Sequence, residues 1–322
     1  MNSLKNFYLV IASIFFCTVL FELFLYFDDY HPNYKQHEFI LSQNTHLVND
    51  SPTEFFNDTR KNKTVFIGDS FTVNKVCAYK KKDFVSLLKN KYSDEKTSIY
   101  NFAIGGTGIA EYAAVTSKIS DHVDNIIVVL YYNDIFFDKS ACESIIYLNK
   151  LGFRKVPFCD KIIETNIDTS NDTKLKALDN FFENNFFSYR LIKEALVNMP
   201  YVSDLFARSS WKDLYLDYSS VENKLFIDLL KFIKKTSNDK NISTSFVYFP
   251  DVTYLSEDNL RLEAWNNFIL HANQQGIKIN DPWTFFIENA SKTNLTWSYV
   301  DDHPNCEANY LMYEYLSDSI VF

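Results

Sequence analysis

NIIVVLY, residues 125–131, is the stretch that decides the fold class of this 322-residue chain. Its interior is apolar and mostly β-branched, which is typical of a central strand buried on both faces of a parallel sheet. Further strands are predicted at 64–67, 98–102, 243–249 and 276–280, and helices at 83–91, 111–118, 221–235, 260–274 and 307–317. This alternation predicts a three-layer α/β/α sandwich with a mainly parallel sheet and a helical insertion at about 136–240.

Composition excludes several classes of partner. Apolar residues make up 47% of the chain and charged residues 23%, so it can bury a sizeable core. Acidic residues outnumber basic ones by 41 to 32, the formal charge is −9, and the longest run of cations is Lys80-Lys81-Lys82. A protein that binds nucleic acid needs a cationic face, so no nucleic acid is expected as a partner. No glycine-rich phosphate loop occurs, so nucleotide chemistry is not expected either.

The N-terminal region predicts a membrane segment. Residues 7–27 are predominantly apolar, with a single charge at Glu22, and a spanning helix needs about 20 predominantly apolar residues. Lys5 precedes the stretch while Asp28 and Asp29 follow it, which favours a cytoplasmic N-terminus and an exported remainder. A cleaved signal peptide and a buried helix of a soluble protein are the alternatives, although no small-residue cleavage site follows.

The predicted organisation has four parts: a cytoplasmic stub at 1–6, a transmembrane anchor at 7–27, an irregular juxtamembrane lead-in at 28–60, and one domain at 61–322. We expect a single-pass membrane protein whose domain lies on the periplasmic or extracellular side. The cysteines agree with export, because the four outside the apolar stretch form an even set that an oxidising compartment allows to pair in three ways: Cys77, Cys142, Cys159 and Cys306. Four separate buried thiols are the alternative, and no two cysteines have the spacing of zinc ligands.

Polar and glycine residues follow the predicted strands at the end where parallel sheets bind ligands. Gly68-Asp69-Ser70 places a hydroxyl just past the first strand, and Gly105-Gly106-Thr107-Gly108 follows the second with backbone N–H groups that a ligand can approach closely. Asn133-Asp134 follows the third strand, and Asp301-Asp302-His303 adds an imidazole with carboxylates beside it. A nucleophile, a base, an orienting acid and an oxyanion hole are the groups that acyl transfer requires.

Four motifs, in this order, resemble the four blocks of the SGNH (GDSL-type) hydrolase superfamily: IGDSF at 67–71, NFAIGG at 101–106, LYYND at 130–134 and DDHPN at 301–305. The likeness covers most of the exported domain and is nearest to bacterial envelope members with one N-terminal membrane segment. It implies the flavodoxin-like SGNH fold and acyl chemistry that needs no metal or organic cofactor. The absence of a G-x-S-x-G motif argues against the commoner α/β-hydrolase fold.

The resemblance also implies a role for each site residue. Ser70 matches the nucleophile, and its own backbone N–H contributes to the oxyanion hole. Gly106 matches the glycine that supplies a second N–H, with Gly105 as the alternative, and Asn133 matches the asparagine whose side-chain amide supplies a third. His303 matches the base that takes the serine proton and returns it to the leaving group.

The acidic partner of His303 departs from the usual family spacing. Val300 occupies the position three residues before the histidine, where D-x-x-H would have its aspartate. Asp301 is the preferred orienting acid, at a D-x-H spacing similar to that of alginate-acetylation proteins, and Asp302 is the second candidate. A Ser–His dyad supported by a backbone carbonyl is the third alternative.

The other histidines are not expected to be the base. The hexapeptide at 28–33 fits D-x-x-H-P-N, but its His31 follows the membrane stretch directly and precedes every strand of the domain. His122 and His271 lie in or beside predicted helices and are expected to pack or to face solvent. Cys77 and Cys306 each follow closely after a candidate catalytic residue, so these two cysteines are expected to pair with each other.

Together these features predict a membrane-anchored serine esterase or O-acyltransferase, and the family resemblance implies acyl esters, acetyl above all, of an envelope glycan as its substrates. An acylated carbohydrate or lipid is the expected substrate. Envelope polysaccharide-modification proteins are the expected protein partners. A GDSL-type lipase or thioesterase is the nearer alternative, and a catalytically silent glycan-binding scaffold of the same fold is the other. Each feature alone also has an ordinary structural explanation, such as a helix cap at Ser70 or a turn at Asn133.

Overall fold

The computed structural model describes residues 50–319 apart from 75–76, 79–80, 136, 138, 158, 160–216, 253–254, 256–259, 293–294 and 299–300. Its helices are α1 (Pro52–Asn57), α2 (Ser70–Val73), α3 (Phe84–Tyr92), α4 (Ile109–Ile119), α5 (Lys139–Asn149), α6 (Val221–Asp239), α7 (Leu260–Gln274), α8 (Trp283–Asn289) and α9 (Cys306–Ser319). Its strands are β1 (Asn62–Ile67), β2 (Thr97–Asn101), β3 (Asn125–Leu130), β4 (Ser243–Tyr248), β5 (Ile279–Asn280), β6 (Thr296–Ser298) and β7 (Asp301–Pro304).

A five-stranded sheet has the order β2-β1-β3-β4-β5, and each neighbouring pair of strands is parallel. The apolar side chains of β1 and β3 are almost completely buried, from Val65 to Ile67 and from Ile126 to Leu130. Burial on both faces explains why these strands are continuously apolar instead of alternating with polar residues. The predicted mainly parallel α/β sheet is confirmed. Its strand order reverses direction between β1 and β3, which is where ligands bind in folds of this kind.

The helices form a layer on each face of the sheet. The chain moves one way across the sheet from β1 to β2 and the opposite way in every later crossover, so right-handed connections put α3 on one face and α4, α6 and α7 on the other. The contacts agree, because α3 packs against α9, whereas α4 packs against both α5 and α6. Phe226 of α6 also meets Phe268 of α7 edge-on, with ring centroids 5.2 Å apart.

The region before β1 differs from the irregular lead-in that was predicted for 28–60. Pro52–Asn57 forms α1, and Phe55 is fully buried against Tyr100 and Phe102. Proline near the start of a helix is favoured because its missing N–H has no helical partner there. This helix therefore belongs to the packed domain, which begins earlier than residue 61. Residues 28–49 of the lead-in lie outside the described residues.

The segment predicted as an insertion at 136–240 ends in a helix of the sandwich itself. The amphipathic run predicted at 221–235 is confirmed as α6, which connects β3 to β4 and packs on α4. The remainder of the segment includes 160–216, outside the described residues. Likewise, the anchor predicted at 7–27 lies outside them, and no helix of the described residues is long and apolar enough to cross a membrane.

Two disulfides are present, Cys77–Cys306 and Cys142–Cys159. The expected pairing of Cys77 with Cys306 is confirmed. The first bond joins residues separated by 229 positions, whereas the second spans only 17. Cys77 follows α2 and Cys306 begins α9, so the first bond fastens the two ends of the domain to each other.

Candidate active site

Ser70 is the first residue of α2, directly beyond the carboxyl end of β1. Asp69 caps this short helix, because its side chain accepts a hydrogen bond of 2.9 Å from the backbone N–H of Phe71. A Cβ on Gly68 would overlap Oγ1 of Thr72 and lie 3.1 Å from the carbonyl oxygen of Val129, so only glycine fits there. The Gly-Asp-Ser sequence thus lets the chain turn sharply at the end of β1, where Gly68 packs closely against β3. Ser70 is left half-buried at the edge of the sheet.

The glycine turn after β2 lies against Ser70. A Cβ placed on Gly105 would be 3.6 Å from Cβ of Ser70, and the N–H of Ile104 donates to the carbonyl of Gly68 at 2.9 Å. Gly106 has φ +77°, a left-handed conformation that favours glycine, and no atom lies within 4 Å of where its Cβ would be. The structure brings this turn to the serine, while the choice of Gly106 or Gly105 as the N–H donor stays a prediction.

Asn133 lies in a 3₁₀ turn, Tyr132–Ile135, just beyond β3, with its side chain exposed. The next residue, Asp134, is buried under this turn. One of its oxygens accepts from the hydroxyl of Tyr112 at 2.7 Å and the other from the backbone N–H of Tyr131 at 2.7 Å. These two bonds fix the turn from below and leave Asn133 facing outward at the same edge as Ser70.

Asp134 is also electrostatically unusual. Burial away from water, followed by the negative charge of nearby Asp69, raises the pKa of Asp134 well above its ordinary value, although its two hydrogen bonds act in the opposite direction. Burial and the charge of Asp134 likewise raise the pKa of Tyr112. Sequence reasoning named Asp134 only as the neighbour of Asn133. The buried hydroxyl that holds it comes from α4 and could not be assigned from sequence spacing.

His303 reaches this edge from the far end of the chain, on the antiparallel hairpin of β6 and β7. The hairpin is attached beyond β4, since the N–H of Leu295 donates to the carbonyl of Val252 at 2.9 Å. The imidazole of His303 stacks on the ring of Phe71, with centroids 5.1 Å apart and planes 20° apart. The predicted base therefore lies beside the residue that follows the predicted nucleophile.

Asn74 and a disulfide secure that arrangement. Asn74, which ends α2 in a left-handed conformation with φ 32°, donates from Nδ2 to the carbonyl of Pro304 at 2.5 Å. Its Oδ1 accepts from the N–H of Cys77, whose disulfide to Cys306 makes the next connection. The segment after the serine is thus tied to the residues on the C-terminal side of His303.

Asn74 and Phe71 were not predicted as site residues. The only signal for them in the sequence was their proximity to Ser70.

The orienting acid is not decided by these contacts. Asp301 and Asp302 lie in β7, but their side chains are outside the described part of the structure. The preference for Asp301 over Asp302 stays a prediction, as does the dyad alternative. His31 also lies outside the described residues.

Two other histidines have packing roles, as expected. His271 stacks on Tyr218 at 4.2 Å between ring centroids, and His122 meets Phe56 edge-on at 5.0 Å. His122 lines a polar cavity of about 470 Å³ at the amino ends of β1 and β3, the edge opposite to Ser70. Among the described residues, no group of three His, Cys, Asp or Glu side chains is placed to hold a metal ion.

No family profile and no curated protein matches this sequence. Solved structures do match. A lipolytic protein of the G-D-S-L family from Veillonella parvula shares 13% identity, with a TM-score of 0.40, over 80% of this chain and 97% of its own. An acetyl xylan esterase from Geobacillus stearothermophilus shares 15% identity, with a TM-score of 0.38, over 82% of this chain and 98% of its own.

A psychrotrophic esterase from a Pseudoalteromonas species also matches, with 15% identity and a TM-score of 0.39 over 80% of this chain and 96% of its own. By their names, these three structures are a G-D-S-L-family lipolytic protein, an acetyl xylan esterase and an esterase. At such identities and TM-scores, neither their activities nor their substrates are carried over to this chain.

Proposed function

We propose that this protein is a serine esterase of the SGNH type, with Ser70 as nucleophile and His303 as base. The observation that carries the proposal is the stack of His303 on Phe71, because it brings the C-terminal imidazole to the turn that presents Ser70. The glycine turn, adjacent to Ser70, and Asn133, beyond the neighbouring strand, supply N–H donors at the same edge. A serine, an imidazole and N–H donors around one point form an acyl-transfer site.

The proposed reaction proceeds through an acyl-enzyme. Oγ of Ser70 attacks the ester carbonyl carbon while His303 takes the hydroxyl proton, and the carbonyl electron pair moves to the oxygen. The N–H groups of Ser70 and Gly106 and the amide of Asn133 stabilise this oxyanion. When the intermediate collapses, the bond to the leaving alcohol breaks and His303 returns the proton to that alcohol. Water, or a sugar hydroxyl, then attacks the acyl-enzyme through the same steps.

The orienting acid in this proposal is Asp301, with Asp302 as the alternative. A carboxylate bonded to the far imidazole nitrogen fixes the tautomer and stabilises the imidazolium. We expect Asp301→Asn to lower kcat strongly while Asp302→Asn changes it little. The reverse result would transfer the role to Asp302, and little change in both variants would indicate a Ser–His dyad.

We propose further that the enzyme is a single-pass membrane protein with its domain outside the cytoplasm, acting on acetyl esters of an envelope glycan. The apolar segment at 7–27 and the two disulfides support this location, since disulfides persist in oxidising compartments. The acetyl group and the glycan rest on the likeness to envelope members of the family, and transfer to a sugar hydroxyl is the alternative to hydrolysis. Lipase and thioesterase activity are the competing functions.

The test is hydrolysis of p-nitrophenyl acetate by the purified full chain in detergent. We expect Ser70→Ala and His303→Ala each to lower kcat by about 1000-fold or more. Removing the Asn133 amide in Asn133→Ala is expected to cost about 100-fold, the usual effect of one oxyanion donor. His122→Ala, which changes a histidine at the opposite edge of the sheet, is the matched control and should leave kcat unchanged.

Labelling of Ser70 by a fluorophosphonate, read by mass spectrometry, checks the nucleophile without a chosen substrate. Faster turnover of p-nitrophenyl palmitate or of an acyl thioester than of the acetate would replace the acetyl proposal with a lipase or thioesterase. A folded chain that neither hydrolyses these esters nor reacts with the fluorophosphonate would overturn the esterase proposal and favour a silent scaffold.

A further inference from the structure

Three aromatic rings are stacked beyond the end of β3, and the third of them is the imidazole of the candidate base. The ring of Tyr131 lies 3.4 Å from that of Phe71, with planes 25° apart, and Phe71 in turn lies 5.1 Å from the imidazole of His303. Phe71 is 2% exposed and Tyr131 1%, so the first two rings are part of the core, whereas His303 is only partly buried. The imidazole therefore rests with one face on a fixed aromatic surface.

Phe71 is held through both its backbone and its ring. Its backbone N–H is bonded to the Asp69 cap, and its ring also meets Phe249 edge-on at 6.0 Å. Because Phe71 directly follows Ser70 in α2, the same turn that presents the hydroxyl also fixes the plane of the imidazole. The hydrogen bond from Asn74 to the carbonyl of Pro304 keeps β7 at this position.

An aromatic face carries negative charge density and attracts a cation more strongly than a neutral ring. The stack therefore favours imidazolium over imidazole. We propose that Phe71 is a positioning residue for the reaction, which orients His303 and stabilises the imidazolium that forms when His303 takes the proton of Ser70. The catalytic part of this inference rests on the proposed function, whereas the effect of the ring on the protonation of His303 does not.

Titratable groups also lie on the elements around His303: Asp301 and Asp302 on its own strand, Asp69 at the start of α2, Tyr131 and Asp134 beyond β3, buried Asp251 after β4, and Glu307 in the first turn of α9. A change of Phe71 to leucine keeps all of these groups and removes only the aromatic face. Comparing the natural chain with Phe71→Leu thus isolates the effect of the aromatic ring on the protonation of His303.

The first measurement is the pH dependence of kcat/KM for p-nitrophenyl acetate in the full chain and in Phe71→Leu. Losing the ring destabilises imidazolium, so the acid limb is expected to move to lower pH by about half a unit. The plateau of kcat is expected to fall about two- to fivefold with KM unchanged, because the imidazolium in the transition state is less stabilised. Phe286→Leu is the matched control, since it trims a fully buried ring that meets Phe249 at 6.0 Å, one ring away from Phe71, and its acid limb should stay in place.

The second measurement does not depend on activity. The chain has six histidines, so NMR of protein with 13C-labelled histidine follows them individually, and His303→Ala assigns the signal. In Phe71→Leu, the titration midpoint of His303 is expected to move down by about half a unit, while the other five stay unchanged. This shift in a chain without esterase activity would support the stack and defeat the proposed function. Activity with an unmoved acid limb and an unmoved His303 midpoint would overturn the role of Phe71.

Discussion

At the scale of single residues, the candidate site rests on a buried carboxyl group. Asp134 is 1% exposed and accepts bonds from Tyr112 and from the N–H of Tyr131, and Asp69 is equally buried under the serine turn. Placing two aspartates in the core is costly unless their charge is reduced or compensated. Burial and then the charge of neighbouring Asp69 raise the pKa of Asp134, so both favour its protonated, uncharged form.

The stability of the protein should therefore depend on the protonation of Asp134. The folded chain holds this proton more tightly than the unfolded chain, so its stabilising effect is complete below the ordinary range of aspartate, about pH 4, and is lost as pH rises through the raised pKa. We expect urea unfolding from pH 4 upward to show a smaller loss of stability with pH in Asp134→Asn than in the natural chain.

Tyr112→Phe provides the complementary control. The Tyr112 hydroxyl favours the charged form of Asp134, so removing it should steepen the loss of stability with rising pH. If the unfolding free energies of the natural chain and both variants keep a constant difference across pH, the role given to Asp134 is wrong.

At the scale of elements, the site depends on fastening β7 to α2. These elements come from opposite ends of the domain, and they are joined by the ring stack, the Asn74 side chain and the Cys77–Cys306 disulfide. Backbone hydrogen bonds of the main sheet do not include β7, which pairs only with β6 in the described sheets. The position of His303 relative to Ser70 is therefore set by these side-chain contacts together with the backbone bond from Leu295 to Val252.

Removing the disulfide tests this fastening. The double variant Cys77→Ser, Cys306→Ser opens the loop of 229 residues and is expected to lose about 2–5 kcal/mol of stability. It should also lose kcat towards p-nitrophenyl acetate at temperatures where it is still folded, because β7 can then shift relative to Ser70. The matched control is Cys142→Ser, Cys159→Ser, which opens a span of 17 and should lose stability while keeping kcat. Equal kcat in the two double variants would mean that the disulfide has no part in holding His303.

At the scale of the whole molecule, the sheet order explains why the site lies where it does. β1 and β3 are neighbours but connect to helices on opposite faces, so their carboxyl ends leave a crevice that neither helix layer covers. Ser70 follows one of these strands and Asn133 the other. The polar cavity that includes His122 lies at the amino ends, away from this crevice.

The membrane anchor is the prediction that belongs to this scale. If residues 7–27 span a bilayer, the full chain should stay in the membrane pellet after alkaline carbonate washing, and its N-terminal sequence should be intact. A chain that is released by the wash and begins near Asp28 would identify a cleaved signal peptide. Release of an intact chain would point to a soluble protein instead.

Much of the fold could be predicted from sequence because its signals are local. The continuously apolar sequence of β3 predicts a strand buried on both faces. The positions of the helices along the chain follow from the spacing of their own apolar residues. Short elements were the exceptions. α1 and the β6–β7 hairpin are held by distant contacts, such as Phe55 on Tyr100 and Leu295 on Val252, which no local pattern contains.

For the site, the sequence by itself determined the chemical groups and the edge of the sheet at which each one emerges, since residues that follow parallel strands must meet at one edge. Only the tertiary structure decided how they are held. The contacts that hold them join parts of the chain that are far apart in sequence. Phe71 stacks on His303, Asn74 donates to the carbonyl of Pro304, and Tyr112 donates to Asp134. Such contacts depend on the packing of whole elements, and the physical reason is that side-chain neighbours across a core are set by three-dimensional geometry instead of by spacing along the chain.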